Sequence, residues 1–96
     1  MSTQTDDGKA SKDLTIENRN GLHARPAALF VKTASRFRSE VWVEKDEERV
    51  NGKSIMGLMM LAAGKGSVLR VIAEGEDAVL VVTELEELIR TRFGEE

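Results

Sequence analysis

Apolar residues in this chain follow two periods in turn, and that alternation is what most limits its possible folds. In "DLTIEN", Leu14 and Ile16 alternate with Thr15 and Glu17, the pattern of a strand with one buried face. Farther on, Ala27, Phe30, Val31, Ala34 and Phe37 recur three and four apart, which predicts an amphipathic helix from Ala24 to Phe37. Period two returns in "SEVWVEK", where Val41 and Val43 should point inward and Trp42 outward. A turn at "KDEER" leads into the short strand "RVN". "SIMGLMMLAAG" reads as a short helix stopped by Gly64 in the role of a left-handed cap. "SVLRVIAE" is a fourth strand with Leu69, Val71 and Ala73 on one face. A last helix runs from Glu76 to Arg92, packed through Val81, Val82, Leu85, Leu88 and Ile89. The order βαββαβα predicts an α+β open-faced sandwich, a four-stranded antiparallel sheet with three helices on one face. The open face should carry Thr15, Trp42, Arg70 and Ile72.

Ninety-six residues suggest one domain, large enough for a two-layer core without metal or disulfide. With no cysteine, thiol catalysis, thiolate metal sites and disulfides are excluded. The segment "MSTQTDDGKASKD" is almost free of apolar residues, so residues 1–12 are expected to form a disordered tail and residues 13–96 the domain. That segment has no apolar stretch of a secretory signal, and no run approaches the ~20 apolar residues of a membrane span. A cytoplasmic protein with no membrane contact is expected. Fourteen basic residues stand against 17 acidic ones, and aromatics are few, which argues against a nucleic-acid partner.

"NGLHARPAALF" holds the only histidine, His23, where the first helix should start. Proline at Pro26 suits a first helical turn, where a missing N–H costs little. The unpaired amides that remain favour an anion, and Arg25 adds a planar cationic fork suited to phosphate oxygens. Gly21 allows a close approach of backbone or ligand. Imidazole is nucleophilic near neutral pH and can form a covalent intermediate. These residues alone leave two readings open: a transferable phosphoryl group on His23, or a surface histidine near a helix cap beside an exposed arginine. A metal site is not expected, since His23 has neither a second histidine nor a cysteine to join it.

The second helix has more apolar residues than one buried stripe can take. Leu58 and Leu61 should pack inward, leaving Ile55, Met56, Met59 and Met60 as an exposed, adaptable contact face. Ser54, just before this run, should be its N-cap.

"GLHARPA" closely resembles the active-site segment of the histidine phosphocarrier (HPr) family of the bacterial phosphoenolpyruvate-dependent phosphotransferase system. "NGKSIMGLMMLAAGKGS" resembles the same family's second-helix segment with its regulatory serine, and the likeness covers Asp13 to Phe93. The resemblance implies a phosphocarrier, not an enzyme, needing no cofactor. His23 would take a phosphoryl group on Nδ1 from phosphorylated enzyme I and pass it to an enzyme IIA-type acceptor. Arg25 would hold the phosphoryl oxygens, Pro26 would shape the turn, and Asn20 would sit beside the site. Ser54 would be the target of an HPr kinase/phosphorylase, and Ile55, Met56, Met59 and Met60 would help dock partners onto a monomer. A nitrogen-branch carrier, suggested by the ending "RTRFGEE", and a chiefly regulatory module are the alternatives. One departure is "EDAVLVV", where many relatives are acidic, so that Val79 and Leu80 add apolar surface.

Overall fold

The computed structural model describes the backbone of residues 4–6 and residues 8–95 in full. In chain order the elements are β1 (Gln4–Asp6), β2 (Lys9–Thr15), α1 (Ala24–Ala34), β3 (Glu40–Lys45), β4 (Glu48–Asn51), α2 (Ile55–Met60), β5 (Val68–Glu74) and α3 (Ala78–Arg90). The strands form one antiparallel sheet in the order β1-β2-β5-β3-β4. Its four main strands, β2-β5-β3-β4, are the open sheet expected from the periodicity. The helices share one face: α3 packs over β2 and β5, α2 lies by β4, and α1 sits between the two helices.

The alternation decides which face is which. Leu14, Val41, Val43, Leu69, Val71 and Ala73 are buried under the helices, meeting Phe30 of α1, Leu58 of α2 and Val81, Val82 and Leu85 of α3. The opposite face carries Thr15, Trp42, Arg70 and Ile72 as expected. There Arg70 pairs with Asp13 at 2.9 Å and Arg49 with Glu44 at 2.9 Å, while the Arg49 guanidinium also covers the Trp42 ring.

Three expectations need correction. The tail does not extend to Lys12: β2 begins at Lys9, Ala10 is buried, and Gln4–Asp6 adds an edge strand, while residues 1–3 and 7 lie outside the described residues. Lys12 hides the alternation. It occupies an inward position, its ammonium pairing with Glu86 of α3 and its side chain mostly buried. Second, α2 ends at Met60 and the left-handed residue after it is Ala62, not Gly64. Gly64 has no left-handed backbone, and a Cβ there would meet nothing within 4 Å. Third, α1 stops at Ala34, and Phe37 packs onto the core from the turn that follows.

A corner between α3 and β3 secures this packing. The Asp77 carboxylate, at the start of α3, accepts the Ser39 hydroxyl and the backbone N–H groups of Arg38 and Ser39, both amides at 3.0 Å. These donors, the Ser39 hydroxyl first, hold its carboxyl below the usual carboxylate range.

Candidate functional site

The loop from Ile16 to His23 is fixed before any functional side chain is placed. Ile16 N–H donates to Ser67 O, Gly66 N–H to Ile16 O, and Leu22 N–H to Ala63 O, each at 2.8 Å, tying this loop to the one after α2. Gly21 has φ +69°, and a Cβ there would lie 2.5 Å from Ala63 O. Only glycine meets both demands. The close approach foreseen at Gly21 is therefore one of backbone to backbone.

His23 is the N-cap of α1, with extended φ −84° and ψ −168°, and its carbonyl accepts the first helical bond from Ala27 N–H at 2.9 Å. Among the described residues no side chain caps this helix. The amides of Ala24 and Arg25 are thus left for water or an anion, and Pro26, buried as the third helical residue, has none to satisfy. Arg25 is exposed beside them. Arg19, Asn20, His23, Ala24, Arg25, Gly94 and Glu95 line an open depression of about 650 Å³. A second one, of about 270 Å³, joins Asn20 and His23 to Met59 and Ala62 of the α2 end. His23 stands where the two meet.

The histidine ring has two unlike nitrogens. Nε2 is buried and makes no hydrogen bond, whereas Nδ1 is neither buried nor hydrogen-bonded among the described residues. The Glu95 carboxylate lies 3.3 Å from Nε2, close enough for an ion pair but not aligned as a hydrogen bond. Glu95 in turn accepts from the fully buried Asn18 at 3.1 Å. Arg19, Asn18 and Glu95 were not singled out by sequence reasoning. Asn18 follows a strand pattern like any polar residue, and Glu95 sits far away in the chain.

Ser54 is the N-cap of α2, its Oγ accepting from Gly57 N–H at 2.9 Å. Beyond it Ile55, Met56, Met59 and Met60 are exposed, 43 to 74%, while Leu58 is buried. Their α2 face continues to His23 through the smaller depression. Val79 and Leu80 of α3 are exposed as well, away from this site.

An open-faced sandwich with a histidine at the N-cap position of its first helix and free amides beside it defines a small histidine-bearing domain with a helix start open to an anion. The chain matches the family described as "PTS HPr component phosphorylation site" over residues 10–91. It is 52% identical over 84 residues to the phosphocarrier protein HPr of Neisseria meningitidis serogroup A, covering 88% of this chain and 94% of that one. It is 56% identical over 66 residues to the HPr-like protein Crh of Halalkalibacterium halodurans, covering 69% and 79%. The crystal structure of HPr-C-His from Thermoanaerobacter tengcongensis superposes with a TM-score of 0.87 at 52% identity, over 90% of this chain and 97% of that one. The chain belongs to the HPr family of phosphotransferase-system phosphocarriers.

Proposed function

We propose that this chain accepts a phosphoryl group on Nδ1 of His23 from phosphorylated enzyme I and passes it to an enzyme IIA-type acceptor. The observation that carries the reading is the ring at the uncapped start of α1, with Nδ1 open and Nε2 buried. In the forward step the Nδ1 lone pair bonds to phosphorus, and the bond from phosphorus to the donor breaks with its electron pair. The phosphoryl oxygens then face the Ala24 and Arg25 amides and the Arg25 fork. A helix terminus at an exposed site contributes only about 0.3–1 kcal/mol to holding an anion. The group is oriented but not trapped, as a carrier requires. Asn20 borders the same depression and Pro26 sets the turn.

Docking would use the apolar α2 face, which adjoins His23. A second, compatible reading is regulation through phosphorylation of Ser54 by an HPr kinase/phosphorylase, favoured by the position of its hydroxyl at the edge of that face. A chiefly regulatory module would keep the Ser54 chemistry without His23 turnover. We read the chain as a cytoplasmic monomer. Among the described residues no helix is long and apolar enough to cross a membrane.

Incubation with enzyme I and phosphoenolpyruvate, followed by intact mass at neutral pH, tests the carrier reading. One acid-labile, base-stable phosphoryl group per chain is expected, absent from His23→Ala. No label, or label that persists in that variant, contradicts it.

A further inference from the structure

We infer that Asn18 and Glu95 form a latch that closes Nε2 of His23 and leaves Nδ1 as the one ring nitrogen open to a phosphoryl donor. This rests on the carrier reading and deepens it, naming two positioning residues for the transfer. The latch begins with the Asn18 amide, which is fully buried and donates twice from Nδ2, to Gly21 O at 2.7 Å and to Glu95 Oε1 at 3.1 Å. One donation fixes the loop that carries His23; the other fixes the tail. Its Oδ1 is buried without a partner among the described residues, and the two donations orient the amide.

The tail is shaped to deliver Glu95. After α3 the chain makes a left-handed turn, with φ of 59° at Arg92, 55° at Phe93 and 74° at Gly94. Two of those residues have a Cβ and adopt this conformation at a cost, which native structures accept where surrounding contacts demand it. Here the demand is visible: the Phe93 ring is buried in the core, and the turn sends Glu95 back toward the loop. The second carboxylate oxygen then lies 3.3 Å from Nε2. Although the His23 side chain is 41% exposed, Nε2 itself is covered.

The consequence is regiochemical. When phosphorus bonds to Nδ1, the ring keeps its proton on Nε2 and becomes cationic, and the adjacent carboxylate offsets that charge. When the donor is a small molecule that docks on no partner surface, a covered Nε2 disfavours a second product. Phosphoramidate is such a donor: the ring nitrogen bonds to phosphorus, the P–N bond breaks, and the amine leaves as ammonia.

The test is phosphoramidate labelling of the full chain, read by 31P NMR, which separates the two phosphohistidine isomers. The wild-type chain should give the Nδ1 isomer alone. Asn18→Ala and Glu95→Ala should both shift label to Nε2, making it a major product. A purely structural Asn18 would lower the melting temperature of its own variant and leave the Glu95→Ala isomer ratio unmoved. Only the Nδ1 isomer in folded Glu95→Ala, or label on Nε2 or none at all in wild type, overturns the latch. No partner takes part, so the two readings separate. Isomer ratios that follow the latch while enzyme I fails to label His23 would sink the carrier and spare the latch, and the converse result would do the reverse.

Discussion

The first two helices begin in opposite ways. At α2 the N-cap is Ser54, whose hydroxyl accepts the Gly57 amide and closes the helix start. At α1 the N-cap is His23, which offers no cap, and the free amides face an open depression beside Arg25. The difference separates stability from function. A satisfied start anchors a short helix, whereas an unsatisfied one leaves amides that suit an anion. The start of α3 is a third case: Asp77 turns its carboxylate away from its own helix to hold Arg38 and Ser39.

Substitutions can break this contrast. His23→Ala should abolish phosphoryl uptake completely at an unchanged melting temperature, checked by intact mass and calorimetry. Gly21→Ala should lower stability by at least about 1–3 kcal/mol from its left-handed backbone alone, before the contact with Ala63 O is counted. Denaturant unfolding measures that loss. Arg25→Lys keeps the charge but loses the fork, so transfer from enzyme I should slow by about tenfold or more at constant stability, as stopped-time quench assays would show.

Ser54 sharpens the comparison from the other side. Ser54→Ala should cost about 1 kcal/mol, or about 4–8 °C in melting temperature, without altering phosphoramidate labelling of His23. Ser54→Asp should hold or slightly raise the melting temperature, because a negative charge suits a helix start, while slowing transfer from enzyme I. Equal transfer rates in wild type and genuine phosphoserine protein would reduce Ser54 to a cap. The smallest effect belongs to Asp77. Its folded carboxyl titrates below its unfolded one, so its contribution is present above the ordinary carboxylate range and is lost as pH falls through the lowered native value. Asp77→Asn should therefore flatten the acid limb of a stability–pH curve and leave neutral phosphotransfer unchanged.

The sheet and helices were legible because their apolar residues keep strict periods, as in Val41/Val43 against Trp42 or Val81, Val82 and Leu85 in α3. The histidine and its arginine were legible because residue type and local spacing suffice for a helix start. Lys12 breaks the pattern of β2 by putting a charge on the inner face, so periodicity alone places the start of the strand four residues late. Ala62 shows a limit of composition: a nearby glycine suggests the left-handed position, but α2 ends earlier and the turn falls on Ala62, leaving Gly64 with an ordinary backbone and open space around it. Asn18 and Glu95 were invisible for a different reason. Their meaning lies in a contact across 77 positions of sequence, made only once Phe93 is buried and the tail has turned back.

Backbone amide shifts before and after phosphorylation of the 15N-labelled chain test the contrast most directly. On phosphorylation the Ala24 and Arg25 amides should move strongly downfield as they take up the phosphoryl oxygens, while the Gly57 amide, already held by Ser54, should stay in place. Unmoved Ala24 and Arg25 amides in a chain phosphorylated on His23 would contradict the claim that the open helix start holds the group.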